Sequence, residues 1–351
     1  MEPEVRHKPV RYYEIDLLRF IAALSVVLYH FAFRGYYTDN LSPIQYPGLE
    51  LLAKYGYLGV ELFFIISGYV VLMSAQGKTL GQFFTSRVMR LYPAYWVACT
   101  FTFVCTWLFG QRVSVNSYVF NMTMLHTFFG VAPLDGVYWT LTIELVFYFL
   151  VALLISFKWL KNLPLVLCGW LAYCAAFGQG ATVRPFNFLL FPTYAPFFVA
   201  GMVFYLLQTS QAARWKLYGL LASSYVLGLR AAQVELQEKV LTYHQPFSLS
   251  VTLGLITVFF LVFLGIIFRW LRLGQAKWLG VVGSLTYPLY LLHHNTGYAV
   301  LQRAGGHIDK YALLIAMLGG FLGLAYALHR FVEKPGSKLL GQKVQQLLAK
   351  V

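Results

Sequence analysis

The stretch EIDLLRFIAALSVVLYHFAF, residues 14–33, predicts how the chain folds. About 20 mostly apolar residues are what a helix needs to cross a bilayer. Comparable stretches recur along the 351 residues, of which 59% are hydrophobic and 11% are charged. A soluble domain has about 45–50% apolar and about 25% charged residues, and this composition could not supply the polar surface it needs. The sequence therefore predicts an all-α fold, a polytopic transmembrane helical bundle.

We predict about ten spanning helices in one domain that covers residues 1–335. The expected spans are 15–34, 56–75, 93–110, 138–157, 163–179, 188–208, 215–230, 248–268, 278–302 and 310–329. No charged start leads into a short apolar run with a cleavage site, so we expect the first helix to be retained. The leucines and valines of residues 336–351 fall on one helical stripe, which predicts an amphipathic cytoplasmic tail on the membrane surface. A solvated tail is the alternative.

The distribution of positive charge predicts the orientation. Of the 27 Lys and Arg residues, 18 fall on the side of the N-terminus, 7 fall on the opposite side, and Arg19 and Arg34 lie within the first predicted span. Because the richer side is cytoplasmic, both termini are expected in the cytoplasm. The net charge of +14 is spread over short clusters, so we expect no nucleic-acid partner. The four cysteines have neither CxxC spacing nor a nearby histidine, and we predict no metal site.

Polar residues inside the predicted spans mark a candidate site, because one charge near the bilayer centre costs about 2.5–3.5 kcal/mol. Arg19 and His30 lie on one face of the first helix, about 16 Å apart along its axis. Glu61, Glu144 and His293 fall on three other spans at about the depth of His30. Each residue alone could serve packing or reach the interface. Together they indicate a site in the outer half of the bilayer.

Two further pairs have a functional and a structural interpretation. Ser67 and Gly68 lie near the middle of the second span, where small residues permit close helix approach or a local break. Arg87 and Arg90 lie in the predicted cytoplasmic loop before the third span. At this spacing they share one face of a helix and could hold a polyphosphate. An arginine pair at a membrane edge can also be a topology signal only.

Six pieces of the sequence together resemble acyltransferase family 3, a family of integral-membrane O-acyltransferases that modify bacterial surface polysaccharides and other acceptors. They occur in the family's order between residues 15 and 335 and cover nearly the whole chain. The pieces are Arg19 with His30, GYLGVELFFIISGY, SRVMRLYPAYW, WTLTIELVFY, GSLTYPLYLLHH and FVEKP.

The resemblance implies a multi-pass enzyme of the bacterial inner membrane. Its expected donor is cytoplasmic acetyl-CoA, and its expected acceptor is a hydroxyl of an extracytoplasmic saccharide. His30 would be the catalytic histidine, and Arg19 the charged residue paired with it. Arg87 and Arg90 would contact the coenzyme A phosphates.

The remaining roles complete the expected site. An acid, Glu61 or Glu144, would orient the imidazole of His30. The pantetheine arm would pass the gap at Ser67 and Gly68. The residues expected to bind the acceptor are Tyr290, His293 and Trp139.

Several alternatives stay open. His30 could act as a general base or carry the acyl group covalently, and the donor could be succinyl-CoA. We expect the loops at 35–55, 111–137 and 231–247 to recognise the acceptor through tyrosines, although interfacial aromatic belts explain these tyrosines equally well. The competing class is a transporter or flippase for a glycan or a lipid-linked sugar. It would also use buried histidine and glutamate residues but would not need the arginine pair.

Overall fold

The protein is built of α-helices, because a helix provides each backbone N–H and C=O group inside a bilayer with a hydrogen bond within the same segment. A computed structural model describes residues 12–38, 41–109, 113–178, 185–210, 212–274 and 276–348. The helices in chain order are α1 (Tyr13–Tyr29), α2 (Leu49–Ala53), α3 (Gly59–Ala75), α4 (Leu80–Leu108), α5 (Val115–Met122), α6 (Trp139–Ser156), α7 (Leu163–Phe177), α8 (Pro185–Leu190), α9 (Ala195–Thr209), α10 (Arg214–Tyr243), α11 (Leu249–Ile267), α12 (Lys277–Leu292), α13 (His294–Ala304), α14 (Lys310–Leu328) and α15 (Lys334–Leu348).

The polytopic helical bundle predicted from the sequence is confirmed. Among the described residues, eight helical segments are long and apolar enough to cross a membrane. They are Tyr13–Tyr37, Leu49–Ala75, Leu80–Leu108, Trp139–Ser156, Trp159–Phe177, Phe186–Thr209, Leu249–Ile267 and Lys310–Val344. The orientation of the bundle stays a prediction.

Two of the ten predicted spans differ from the expected apolar helices. Residues 215–230 are the first half of α10, which has 30 residues and carries charged side chains in its second half. The tyrosine-bearing loop predicted at 231–247 is therefore mostly helix, and Tyr243 is buried at its end. Residues 278–302 form two helices, α12 and α13, which are separated at His293.

The third span begins earlier than predicted, at Leu80 instead of residue 93. A capping box of Thr79 and Gln82 starts α4 at this point, because each side chain accepts a bond from the other residue's backbone N–H. Pro93 lies inside the helix and cannot donate to the carbonyl of Met89, four residues earlier. Ser337 Oγ donates to that carbonyl at 2.7 Å instead. Arg87 and Arg90 therefore lie on a continuous helix, not in a loop.

The predicted tail is helical but continuous with the last span. A π-helical turn, His329–Glu333, joins α14 to α15, and His329 Nδ1 lies 2.8 Å from Glu333 Oε2 within it. Helix α15 packs on α4, where Gly336 lies against Pro93 and Gly341 against Met89. The final residues of the predicted stripe, 349–351, lie outside the described residues.

The centre of the bundle is α1, which packs against α3 and α12, while α3 crosses α9 in the most extensive helix contact. A glycine pair makes this crossing. A Cβ atom at Gly68 would lie 2.1 Å from the carbonyl oxygen of Phe198, and one at Gly201 would lie 2.0 Å from that of Ile65. Of the two roles that the sequence left open for Gly68, the structure shows close helix approach.

Candidate functional site

A cavity of about 100 Å³ lies between α1, α3, α4, α6 and α12. Six of the eleven predicted site residues line it: Arg19, Ser67, Arg87, Arg90, Glu144 and Tyr290. Five separate stretches of the sequence therefore meet at one place. The cavity joins the predicted phosphate-binding arginines to the predicted acceptor-binding tyrosine.

Three arginines make this cavity cationic. The Arg87 guanidinium lies over the rings of Tyr148, at 5.4 Å, and Phe83, at 5.6 Å. Arg90 is exposed one helical turn further along α4. Arg19 lies deeper, with Nη1 4.0 Å from Asp16 Oδ1. Arginine donors in this arrangement suit a phosphorylated ligand.

Glu144 belongs to the cavity. Its Oε1 accepts hydrogen bonds from Ser67 Oγ at 3.1 Å and from the hydroxyl of Tyr148 one turn along α6. These bonds connect α3 with α6 and hold the carboxylate among the arginines. Ser67 is thereby placed on the cavity wall, while its neighbour Gly68 faces α9.

His30 and His293 form a buried pair next to the cavity. His293 Nδ1 lies 2.9 Å from the carbonyl oxygen of Tyr290 and 3.2 Å from that of Leu289. A carbonyl only accepts, so Nδ1 carries the proton and Nε2 of the neutral ring accepts. His30 Nδ1 lies 3.0 Å from His293 Nε2 and therefore donates. The lone pair of a neutral His30 is consequently on Nε2.

Irregular backbone positions both rings. His30 begins a π-helical turn, His30–Arg34, that continues α1, and such turns are frequent at functional sites. His293 lies at the junction of α12 and α13, five residues after Pro288. The two distortions face each other across the contact of α1 with α12.

Tyr290 connects the cavity to the histidine pair. It lines the cavity, its carbonyl accepts from His293, and the two ring centroids are 5.7 Å apart. The Tyr290 hydroxyl pairs with Thr140 Oγ1 at 3.0 Å. The arginine-lined cavity and the imidazoles are therefore separated by one tyrosine.

Sequence reasoning missed two members of this cluster, Asp135 and His294. The carboxylate of Asp135 Oδ1 lies 3.1 Å from His294 Nδ1, and the His294 ring meets that of His30 edge to face at 4.5 Å. Because His294 directly follows His293 in the sequence, it could have been included in the predicted site. The acid lies in the segment before α6, outside every predicted span.

The predicted acids do not orient His30. Among the described residues, no hydrogen bond joins Glu61 or Glu144 to a histidine. Glu61 is 1% exposed and interacts with Glu235 and Lys239 of α10, because its side of α3 faces that helix. The carboxylate at the imidazoles is that of Asp135.

Trp139, predicted to bind the acceptor, begins α6 and packs its ring 5.4 Å from that of Tyr194. It does not line the cavity. In the part of the chain that the structure describes, no group of three or more His, Cys, Asp or Glu side chains could hold a metal ion.

The comparison with protein families identifies the chain. Residues 12–330 match the model of an acyltransferase domain. The chain belongs to acyltransferase family 3. It has an acyltransferase domain, as the six sequence pieces predict, and it is a multi-pass membrane protein, as its composition and apolar spans predict.

Three curated relatives are similar to this family member. Nodulation protein 10 of Rhizobium leguminosarum bv. viciae is 27% identical over 61% of this chain and 62% of its own length. Peptidoglycan O-acetyltransferase OatA of Listeria monocytogenes is 29% identical over 44% of this chain and 26% of its own length. The chain thus covers less than two thirds of either protein. Acyltransferase MdmB of Streptomyces mycarofaciens is 23% identical over 95% of this chain and 94% of its own length.

No solved structure matches the chain.

Proposed function

We propose that the protein is a membrane O-acyltransferase that moves an acetyl or other short acyl group from cytoplasmic acyl-CoA to a hydroxyl of an extracytoplasmic saccharide. One observation carries the proposal: the buried pair of His30 and His293 adjoins Tyr290, which lines a cavity together with three arginines. An acyl-CoA has phosphates at one end and a thioester at the other, and the site has matching chemistry at its two ends.

The donor would enter from the side of Arg90. Arg90 is exposed and Arg87 is half-buried, so the two could bind the phosphates while the pantetheine arm runs along the cavity. Arg19 and Glu144 line the deeper part. The thioester would then reach Tyr290, next to the histidine pair.

His30 would act at the thioester through Nε2. As a base, it would take the proton of the acceptor hydroxyl while the oxygen bonds to the acyl carbon and the carbon–sulfur bond breaks. As a nucleophile, it would bond to the acyl carbon itself, release coenzyme A thiolate and pass the acyl group to the acceptor afterwards. In both cases His293 keeps the His30 proton on Nδ1.

The saccharide acceptor is supported by one relative, OatA, which is named as a peptidoglycan O-acetyltransferase. It is also consistent with the predicted orientation, in which the histidine cluster lies nearer the outer surface than the arginines. An extracytoplasmic hydroxyl would therefore approach His30 from the side opposite to the donor.

Acetyl-CoA binding to the detergent-purified protein tests the donor. We expect an Arg87→Ala/Arg90→Ala double variant to bind about 10- to 100-fold more weakly, because each charge-assisted bond to phosphate is worth about 1.5–3 kcal/mol and Arg90 is exposed to solvent. Calorimetry or a fluorescent acyl-CoA analogue measures the change.

Arg269 and Arg272 provide a matched control. They have the same spacing on the same predicted side of the membrane but do not line the cavity. An Arg269→Ala/Arg272→Ala variant removes the same charge and should bind acetyl-CoA as the wild type does. Equal weakening in both double variants would indicate general electrostatic attraction. Failure of the wild type to bind either acetyl-CoA or succinyl-CoA would contradict the proposal.

A further inference from the structure

A second imidazole, that of His294, lies beside His30 and has its own carboxylate. His294 begins α13, and its ring is 5% exposed. The ring meets that of His30 edge to face at 4.5 Å and that of Tyr298 at 4.8 Å. The cluster therefore contains one more base than transfer through His30 requires.

The neighbours of His294 fix its proton. Nδ1 lies 3.1 Å from Asp135 Oδ1 and 2.8 Å from Asn295 Oδ1. The Asn295 amide is oriented because its Nδ2 donates to the carbonyl of Leu134 at 2.8 Å, so its oxygen faces the histidine. Both neighbours accept, so Nδ1 carries the proton. The lone pair of a neutral His294 is therefore on Nε2.

This lone pair is buried and has no hydrogen-bond partner among the described residues. The hydroxyl of Tyr298, one turn further along α13, is also buried without one. Buried polar atoms in proteins are nearly all hydrogen-bonded. The hydroxyl group of a bound alcohol could donate a hydrogen bond to His294 Nε2 and form a second hydrogen bond with the hydroxyl of Tyr298.

The segment before α6 is shaped to hold the carboxylate against this ring. Asp135 is fully buried; its Oδ1 accepts from the backbone N–H of Val137 at 3.1 Å and its Oδ2 from that of Asn295 at 3.0 Å. Burial alone would raise the pKa of Asp135, but His294 and the two N–H groups lower it below its ordinary value. A Cβ atom at Gly136 would lie 2.4 Å from Cε1 of His294, so only glycine permits this approach.

We infer that His294 is the base that takes the proton of the acceptor hydroxyl, and that Asp135 positions its ring. After coenzyme A has left as the thiolate and the acyl group is on His30 Nε2, the hydroxyl proton moves to His294 Nε2, the oxygen bonds to the acyl carbon, and the bond from that carbon to His30 Nε2 breaks. The carboxylate of Asp135 stabilises the imidazolium that forms. Of the two roles proposed for His30, it then keeps that of the nucleophile, on the donor side of the acyl group. The inference rests on the proposed function.

Nucleophiles of different strength test this assignment. Coenzyme A release from acetyl-CoA is measured with water and glycerol as hydroxyl probes, and separately with hydroxylamine, which attacks without a base. In a His294→Gln variant we expect the reaction with hydroxyl probes to fall about 10²- to 10⁴-fold, while the hydroxylamine reaction stays close to the wild-type rate. An Asp135→Asn variant should also lose more of the hydroxyl reaction than of the hydroxylamine reaction, but with a smaller difference between the two. His30→Ala gives the background rate.

His307→Gln is the matched control, since His307 is an exposed histidine in the segment after α13, and both its reactions should equal those of the wild type. If His294→Gln lowered the rates of the hydroxyl and hydroxylamine reactions equally, or lowered neither rate, the inference would be wrong.

The thermal transition and the acetyl-CoA affinity of each variant show whether it is folded. Should His294→Gln fail to fold, the near-isosteric Asp135→Asn decides by the same split. If the wild type released no coenzyme A with any probe, the proposed function itself would fail.

Discussion

Replacing His293 by phenylalanine should slow acyl transfer without weakening donor binding. In the wild type, His293 Nε2 accepts the Nδ1 proton of His30 at 3.0 Å. Phenylalanine has a planar ring that is somewhat larger than imidazole and cannot accept a hydrogen bond. The His30 proton is then free to move to Nε2, which removes the lone pair from the atom that acts in the proposed reaction.

The burial of the pair sets the magnitude. His30 is 4% exposed and His293 is fully buried, so water would not easily replace the lost acceptor. A buried donor left without an acceptor costs about 1–3 kcal/mol. If the His30 tautomer with its proton on Nδ1 is destabilised by this free energy, the rate falls about 5- to 150-fold, since about 1.4 kcal/mol corresponds to a factor of ten.

The assay is steady-state release of coenzyme A from acetyl-CoA, with affinity for acetyl-CoA measured in parallel. His293 does not line the arginine cavity, so the affinity should not change while kcat falls. His293→Gln is the informative companion, because its side-chain oxygen can accept from His30 and should restore much of the rate. Wild-type turnover in His293→Phe, or equal losses in both variants, would refute the tautomer argument.

Three further predictions concern packing, capping and orientation. Gly68→Ala should lower the unfolding free energy by about 1–3 kcal/mol, measured by thermal unfolding in detergent, because its Cβ would overlap Phe198; Gly169→Ala, at an exposed helical position with nothing within 4 Å, should not destabilise. Asp309→Ala removes a side chain that accepts from two N–H groups at the start of α14 and should cost about 1 kcal/mol by the same measurement, whereas Asp309→Asn should cost less. In intact cells, a membrane-impermeant maleimide should label His307→Cys but reach Lys338→Cys only after permeabilisation; the reverse pattern would invert the predicted orientation.

Helical periodicity could predict the parts of the site that lie along one helix. It correctly placed Arg87 and Arg90 on one helical face, because residues three apart are neighbours on any α-helix. Apolar length likewise predicted α6 and α11 to within a residue or two at each end. These properties depend on local sequence, so a single chain reveals them.

The partner of each polar residue could not be predicted in the same way. Depth in the bilayer follows from position along a span, but rotation about the helix axis follows from packing against other helices. Glu61 faces α10, whereas Glu144 faces the arginines. Asp135 reaches the imidazoles only because the segment before α6 folds back against α13. No periodic pattern marks such a segment as buried.

The pairing of Tyr290 with Thr140 has a consequence for the energy supply of the cell. A bacterium stores energy as a proton gradient across its inner membrane, and a continuous chain of water molecules through a membrane protein would let the protons flow back. An enzyme that takes one substrate from each side needs an opening toward both, and these openings must not join. In the proposed reaction, Tyr290, which is 7% exposed and paired with Thr140 of a neighbouring helix, lies between the donor cavity and the histidine pair, where these openings would meet. A bound acyl group would occupy the space next to Tyr290 and exclude water from it. The enzyme could then turn over while the membrane remains impermeable to ions.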